Sequence, residues 1–170
     1  GGIRCNSTSP TLDNLIITGN YAYAYGGGLV CWDASSPILK NVTINNNTTV
    51  TGGSGIYCDT NSNPSLENVL ISNNSNTGIK CKHSSNPTLK NVTISGHPNF
   101  GIYCDNNSNP ILMNCILWDN SSEEIYTVAS SPTVTYSDIQ GSYTGTGNID
   151  ADPLFVDAAN GDYHLLDRSP

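Results

Sequence analysis

The sequence predicts an all-β solenoid, in which about six coils of short strands stack on one another around a continuous interior. Three observations support this prediction. Five segments of the chain align with one another, apolar and polar residues alternate within them, and no window shows a sustained apolar period of 3.6. Strict alternation places successive side chains on opposite faces of an extended strand, so each segment is expected to bury one face.

The repeat is defined by one column of cysteines and one column of asparagines. The cysteines are separated by 26, 27, 23 and 23 residues, and the asparagines by 27, 27, 23 and 23. The cysteine column is Cys5, Cys31, Cys58, Cys81 and Cys104, and the asparagine column is Asn14, Asn41, Asn68, Asn91 and Asn114. The spacing from cysteine to asparagine is nearly constant, so the variation in length falls at one corner, as is typical of stacked repeats.

Each repeat is expected to form three short strands. In the first strand, Ile102 and Cys104 point to one face and Tyr103 to the other. The second strand follows a proline, and the third begins after the column asparagine with Val92 and Ile94 pointing inward. Three strands in a coil give it a triangular outline, and coils stacked about 4.8 Å apart form parallel sheets.

The coils are predicted at residues 1–26, 27–53, 54–77, 78–100, 101–122 and 123–140, with a capping tail at 141–170. The sixth coil has Thr127 in the cysteine column and Tyr136 in the asparagine column, as expected where a stack ends. The segment DPLFVDAANGDYHLL, residues 152–166, is expected to fold over the open end and block edge pairing. The first coil has no comparable cap, so we expect preceding residues or another chain to stack on it.

The chain resembles the right-handed parallel β-helix proteins, the superfamily that contains pectate-lyase-like enzymes and many bacterial and archaeal surface proteins. The resemblance extends over essentially the whole chain. It implies that the asparagine column is an asparagine ladder, in which each residue adopts a left-handed bend and its amide bonds along the stack. The tail resembles the end of β-helix regions in large proteins. It implies a piece of a larger, secreted or surface-anchored prokaryotic protein.

Charge and composition restrict the class of partner. The formal net charge of −8 argues against nucleic acid and against an anionic membrane surface. No run of about 18 apolar residues occurs, so no membrane insertion is predicted. The 23 asparagines outnumber all Asp, Glu, Lys and Arg residues together, a balance common in secreted proteins. The predicted location is therefore secreted or at the cell surface.

The cysteine column is predicted to be a ladder of small buried side chains. Metal sites need converging ligands, such as pairs separated by two residues, and the sequence contains no such cysteine pair. Neighbouring cysteines about 4.8 Å apart fall within the Cα range of a disulfide, but side chains in register run parallel, which does not draw the Cβ atoms together. Buried thiols are favoured, and disulfides are the alternative.

The outward face of the first strand is a candidate carbohydrate-binding face. In pectate-lyase-like enzymes, which the chain resembles, a solvent-facing sheet carries the substrate groove. Stacked opposite charges also stabilise a sheet face that has no function, and this is the alternative. The candidate glycan-binding residues are Tyr21, Tyr23, Tyr25, Trp32, Tyr57, Lys80 and Tyr103.

Three residues of the same face, Asp59, Lys82 and Asp105, are weak catalytic candidates. The two aspartates are two coils apart, about 9.6 Å, which does not exclude an inverting glycosidase pair. Lys82 lies between them, however, and is expected to lower both carboxyl pKa values rather than raise one to make an acid. No cofactor is predicted. Calcium is the alternative, at tail carboxylates that lack a calcium-loop spacing, namely Asp150, Asp152, Asp157 and Asp162.

The stretch YAYAYGGG, residues 21–28, is predicted to be an insertion at the variable corner. The core residues Ile17 and Leu29 that flank it are 12 positions apart, as are Ile44 and Ile56 in the second coil, whereas the equivalent pairs of the third and fourth coils are 8 apart. Its alternating tyrosines are expected to form an aromatic ledge near Trp32 and Tyr57. Such a ledge suits a sugar ring, and it could equally pack on the protein itself or on a partner.

Taken together, the sequence predicts an extracellular rigid scaffold or stalk with a carbohydrate-binding face, and polysaccharide or cell-surface glycan as the partner. The first alternative is a polysaccharide lyase or glycoside hydrolase of the pectate-lyase-like superfamily. The second is a surface fibre that assembles end to end through the uncapped N-terminal coil.

Overall fold

A computed structural model describes residues 1–170 as a stack of coils whose parallel strands form two long sheets. This confirms the predicted fold class. The first sheet contains one strand from each of six coils and pairs them in chain order. Its strands are β1 (Ile3–Asn6), β5 (Leu29–Trp32), β8 (Gly53–Cys58), β10 (Thr77–Cys81), β12 (Phe100–Asp105) and β15 (Glu123–Val128).

The second sheet contains the remaining strands of the coils, again in chain order. They are β2 (Thr11–Asp13), β3 (Ile16–Thr18), β6 (Ile38–Asn45), β9 (Ser65–Ser72), β11 (Thr88–Ser95), β13 (Ile111–Met113), β14 (Ile116–Trp118), β16 (Thr133–Thr135) and β17 (Asp138–Ile139). The expected three strands occur in the first, fifth and sixth coils. In the other coils, the second and third strands continue through the asparagine as one bent strand of 8 residues.

The asparagine column forms the bend of the second sheet on the outside of the stack. All five column asparagines have φ between 52° and 55°, in the left-handed region. The amide of Asn68 donates to Asn41 Oδ1 at 3.3 Å, and that of Asn91 donates to Asn68 Oδ1 at 3.0 Å. Asparagine tolerates this backbone because its short amide can bond locally.

The inward side chains of both sheets form one cluster of 25 buried residues. The cysteine column lies inside it, paired in register from Cys5 to Cys104, and Thr127 follows Cys104. All the cysteines are free and buried. Burial raises the pKa of Cys5 and raises that of Cys115, which replaces a valine of the third strand, to about 11.

This environment makes the thiols unreactive, because a reagent must reach the sulfur atom and all six cysteines are buried. Native protein at pH 8 is therefore expected to consume no thiol reagent, whereas all 6 cysteines react after denaturation. The control is Tyr23→Cys, at a side chain that is 76% exposed, which is expected to add one fast equivalent. A native cysteine that reacts as fast as this control would contradict the buried thiol column.

A second ladder, which was not predicted from the sequence, lies inside the stack at the variable corner. Its members are Asn20, Asn47, Asn74, His97 and Asn120, separated by 27, 27, 23 and 23 residues. The amide of Asn20 donates to Asn47 Oδ1, and the amide of Asn47 donates to Asn74 Oδ1, both at 3.0 Å. The Asn74 amide also donates to the backbone oxygen of Ile44 at 3.0 Å. The ladder therefore joins the coils to one another through buried polar side chains.

His97 takes the place of an asparagine in this interior ladder. Asn74 Nδ2 lies 3.2 Å from His97 Nε2, and His97 Nδ1 lies 2.7 Å from Asn120 Oδ1. Because an amide nitrogen only donates, Nε2 accepts and Nδ1 carries the proton of a neutral ring. Burial lowers the pKa of His97 to about 4, which keeps the ring neutral and preserves both bonds.

In the first five coils, a glycine directly before the inward Ile or Leu of the first-sheet strand provides room for the interior ladder. A Cβ atom on Gly78 would lie 2.7 Å from the backbone oxygen of Gly101 and 3.0 Å from His97 Cε1. A Cβ on Gly28 would lie 3.1 Å from the amide nitrogen of Asn47. The glycine of the G-I/L-x-C pattern is thus required by close packing against the ladder.

The stretch YAYAYGGG lies at the variable corner, as its length predicted. Its first residues form β4 (Tyr21–Ala22), which pairs in parallel with β7 (Thr48–Thr49) from the insertion of the next coil. The alternation is visible in burial, since Tyr21, Tyr23 and Tyr25 are 60%, 76% and 44% exposed and the alanines between them are half-buried. The two insertions therefore build a small ledge of their own beside the first sheet.

The tail differs from the prediction in where its aromatic segment lies. The end of the stack is covered by earlier residues, since Tyr143 packs against the core and Ile139 N–H donates to Ile149 O at 3.0 Å. Residues 152–166 instead form β18 (Phe155–Asp157), a short 3-10 helix (Ala158–Asn160) and β19 (Asp162–Leu165). This hairpin lies along the side of the second sheet, where Asn73 Nδ2 donates to Tyr163 Oη at 3.2 Å. The core end was already closed, so the aromatic side chains pack laterally.

Candidate functional site

The outer face of the first sheet, hereafter the sheet face, arranges its side chains in columns along the stack. The strand pairing places one residue of each coil directly beside the next along the stack. The first column is Arg4, Val30, Tyr57, Lys80, Tyr103 and Tyr126. Parallel pairing in register therefore lines up aromatic and basic side chains parallel to the stack axis.

An aromatic cluster lies on the sheet face at the second and third coils. The ring of Tyr25 stacks on Tyr57 with centroids 4.5 Å apart, and the ring of Trp32 lies 6.1 Å from each of them. Tyr25 thus brings part of the corner insertion onto the sheet, as the predicted ledge requires. Tyr57 itself is only 2% exposed, because Tyr25 covers it. It supports the cluster from beneath and does not present a free ring face, which corrects its place among the glycan-contacting candidates.

A second aromatic cluster lies on the sheet face at the fifth and sixth coils. The ring of Phe100 stacks on Tyr126 at 4.7 Å, and Tyr103 lies 5.4 Å from Tyr126. Lys80 joins this cluster, since its Nζ lies 4.6 Å from the centroid of the Tyr103 ring. Burial, together with the like charge of Lys82, lowers the pKa of Lys80. The sheet face therefore has two aromatic clusters with a lysine between them.

Asp59 is bound differently from the prediction, which placed it beside Lys82. His83 Nδ1 donates to Asp59 Oδ1 at 2.6 Å, and Tyr57 Oη donates to Asp59 Oδ2 at 2.8 Å. His83 has a left-handed backbone with φ of 48°, and this turn brings its ring to the preceding coil. Burial favours a protonated Asp59, but the hydrogen bonds from His83 and Tyr57 outweigh it and lower the pKa of Asp59. Asp59 is consequently a buried, permanent carboxylate.

Asp105 repeats the GIYCD sequence of Asp59 but has other neighbours. Lys82 Nζ lies 3.5 Å from Asp105 Oδ2, and no hydrogen bond reaches the buried Oδ1 atom. Ala129 has the same position relative to Asp105 as His83 has relative to Asp59. Its side chain has no hydrogen-bond donor. Lys82 therefore pairs with one aspartate only, and the two predicted catalytic carboxylates have separate surroundings.

The chemistry of the sheet face favours binding over acid–base catalysis. A glycosidase needs one carboxyl group that keeps its proton near neutral pH, and the lowered pKa of Asp59 excludes this role for it. Glu124 has such a carboxyl group, because burial raises its pKa to about 7, but it does not lie on the sheet face. Ring faces beside lysine and carboxylate groups are instead suited to stacking and hydrogen bonding of a polar, flat ligand.

Glu124 ends the interior ladder at the last coil. It lies opposite Gly101, where every preceding coil has a glycine, and its side chain reaches the position that the next ladder asparagine would occupy. Its Oε1 accepts from Asn120 N–H at 3.0 Å, and its Oε2 accepts from Asn120 Nδ2. A cleft of about 520 Å³ opens beside it, between residues 119–125 and residues 139–143.

The tail carboxylates named as the calcium alternative hold turns. Asp150 accepts from Gly141 N–H at 3.2 Å, and Asp162 accepts from His164 N–H at 3.0 Å. Asp152 and Asp157 each accept from a backbone N–H within three residues. Nowhere do three His, Cys, Asp or Glu side chains group in a way that could hold a metal ion.

Four residues of functional interest were not predicted from the sequence, namely His83, Phe100, Tyr126 and Glu124. Tyr126 could have been found, because it continues the outward column one coil beyond Tyr103. The interior ladder carries the same steps of 27, 27, 23 and 23 as the asparagine column, six residues further along. No residue spacing predicts the pairing of Asp59 with His83, because it depends on how one turn directs the His83 side chain.

Stacked parallel coils, two long parallel sheets and internal ladders define a parallel β-solenoid. The family described as "Right handed beta helix region" matches residues 1–84 and residues 27–147 of this chain. The chain belongs to this family, as its resemblance implied. No curated protein and no solved structure matches it. None of its helices has the length and apolar character needed to cross a membrane.

Proposed function

We propose that the protein is a rigid β-helical scaffold, secreted or displayed at a cell surface, whose sheet face binds a carbohydrate. The observation that carries the proposal is the pair of aromatic clusters on one face. Trp32 and Tyr25 of the first cluster and Phe100 and Tyr103 of the second remain partly exposed, which leaves ring surface for stacking against sugars. Lys80 between the clusters adds a hydrogen-bond donor.

The rigidity of the scaffold is supported by hydrogen bonds that continue around the corners of the coils. A column of buried serines illustrates this, since the backbone N–H of Ser35 donates to Ser62 Oγ and that of Ser62 donates to Ser85 Oγ, both at 3.1 Å. The interior ladder and the asparagine column make similar bonds at two other corners. A stack joined between coils at its corners as well as within its sheets resists bending, which suits a stalk or a display platform.

The proposal is tested by the retention of the protein on a panel of immobilised neutral and acidic polysaccharides. Wild-type protein is expected to be retained by at least one of them, and both Trp32→Ala and Tyr103→Ala to weaken binding about tenfold through loss of a stacking ring. The matched control is Tyr136→Ala, which removes a tyrosine that is 60% exposed and lies after the second-sheet strand β16. This control is expected to leave binding unchanged.

Two results would count against carbohydrate binding by this face. Wild-type protein that no polysaccharide retains would remove the binding part of the proposal and leave a scaffold. Equal loss of binding in Tyr136→Ala and Trp32→Ala would show that the contact is not specific to the sheet face. Circular dichroism of each variant identifies any loss that comes from unfolding.

A further inference from the structure

The two sheets end differently at the C-terminal end of the stack. After β17 the chain turns back, and Tyr136 N–H donates to Thr146 O at 2.9 Å while Ile149 N–H donates to Ser137 O at 2.9 Å. These bonds cover the last strands of the second sheet. The first sheet ends at β15, which pairs with β12 and with no other strand. One edge of β15 is therefore open.

Earlier coils show which backbone groups this open edge presents. In the cysteine column, the carbonyl oxygen of Cys31 accepts from Asp59 N–H at 3.0 Å, and that of Cys58 accepts from Lys82 N–H at 2.9 Å. These carbonyl groups all point to the following coil. Thr127 occupies the same column in β15, and no strand follows it. Free donors and acceptors in this arrangement form a template for an added strand.

The surroundings of the edge indicate the charge of an added strand. The cleft of about 520 Å³ lies along β15, and its lining includes Asp119, Glu123 and Glu124 but no lysine, arginine or histidine. A second copy of the chain has a net charge of −8, which disfavours its approach to this cleft, although its strand β1 has Arg4 and no acidic residue. The complementary occupant is a basic segment of a different protein.

We propose that the open edge of β15 binds an extended basic segment of a partner protein as a seventh strand of the first sheet. Strand β10 of this chain shows how such a segment is accommodated. Its Gly78 leaves room for the interior ladder, and its Lys80 lies over the ring of Tyr103. In the added strand, a small residue would face Glu124 and a lysine would lie over Tyr126, which follows Tyr103 in the column.

The probe for this site is the capped, fluorescently labelled hexapeptide Lys-Gly-Ile-Lys-Ser-Lys, whose pattern follows β10. Saturable binding is expected, at least about tenfold tighter than that of the matched peptide Glu-Gly-Ile-Glu-Ser-Glu. Bound peptide is expected to slow hydrogen exchange of the Ile125 and Thr127 amides by about tenfold or more, because main-chain hydrogen bonds then protect them. The measurement needs no carbohydrate, so its outcome is independent of the proposed function.

The protein variants separate strand addition from simple charge attraction. Glu123→Gln is expected to weaken the basic peptide about threefold, whereas Glu67→Gln, a matched change on the second sheet, is expected to have no effect. A peptide whose second lysine has an N-methylated main-chain amide keeps every charge and is expected to lose binding, because that N–H would donate to the carbonyl oxygen of Ile125. Absence of saturable binding, or binding that leaves the Ile125 and Thr127 amides unprotected, would overturn the proposal.

Discussion

Replacement of Asn74 by alanine is expected to lower the free energy of unfolding by about 4 kcal/mol, the larger of two effects on stability. Asn74 is fully buried in the interior ladder. Its Oδ1 accepts from the backbone N–H of Asn47 at 2.9 Å and from the Asn47 side chain at 3.0 Å, and its amide donates to Ile44 O and to His97. Alanine leaves these groups unpaired in the core, and an unpaired buried polar group costs about 1–3 kcal/mol.

The matched control is Asn91→Ala in the asparagine column on the outside of the stack. Asn91 makes the same kind of amide bonds to its neighbours, at 3.0 Å to Asn68 and 2.6 Å from Asn114, but water reaches this column. Its loss is expected to cost about 1 kcal/mol, chiefly because alanine disfavours the left-handed backbone. Urea denaturation measures both variants. Equal costs would show that burial of the interior ladder contributes nothing beyond the bonds themselves.

The second large effect is on the pH dependence of stability, which His97 and Glu124 are expected to drive in opposite directions. The pKa of His97 falls from 6.5 to about 4 on folding, so its contribution is complete above pH 6.5 and is lost as pH falls towards 4. The pKa of Glu124 rises from 4.5 to about 7, so its contribution is complete below pH 4.5 and is lost as pH rises towards 7. Between pH 4.5 and 6.5 the two contributions partly offset each other.

Single variants are expected to reveal each contribution. His97→Asn restores the residue type of the ladder and is expected to remove about 3 kcal/mol of acid destabilisation between pH 6.5 and 4. Glu124→Gln keeps an acceptor for Asn120. The difference in unfolding free energy between this variant and wild type is expected to be about 2 kcal/mol more favourable to the variant at pH 8 than at pH 4.5. This value is discounted for solvent in the adjoining cleft.

The difference in unfolding free energy between wild type and each variant, measured from pH 4 to pH 8, isolates these groups from the remaining carboxylates. Glu123→Gln is the control for Glu124, since Glu123 is its exposed neighbour on β15. The change of this difference with pH is expected to be larger for Glu124→Gln than for the control, because only Glu124 is buried. A difference for His97→Asn that does not change with pH would contradict a neutral, buried imidazole in the ladder.

The coil architecture was predictable because every coil repeats the same pattern of inward and outward residues. Each strand must bury one face, so alternation identified the inward residues, such as Ile102 and Cys104, and the fixed spacing identified the bend at the asparagines. The same repeat aligns Lys80 with Tyr103, and the structure pairs these two residues. The corner insertion was located in the same way, because its flanking core residues were already assigned.

The details of the sheet face were less predictable. The candidate residues Tyr57 and Tyr25 were named from the sequence, but the burial of Tyr57 depends on Tyr25 folding over it from the corner insertion. The partner of Asp59 depends on a left-handed turn that carries His83 back by one coil. Both contacts arise from side chains that reach across from irregular segments. A repeat pattern contains no information about such segments, because they differ from coil to coil.

By itself, the sequence determined the fold, the order of the coils, the inward columns and the corner at which length varies, since these follow from periodicity and from the need to bury apolar faces. Only the tertiary structure decided which columns were ladders of buried amides, where the tail hairpin lies and which sheet edge remains open. The physical reason is that strand alternation is a local property of the chain. Closing a corner, capping a ladder with Glu124 or leaving β15 unpaired depends on which distant groups meet there.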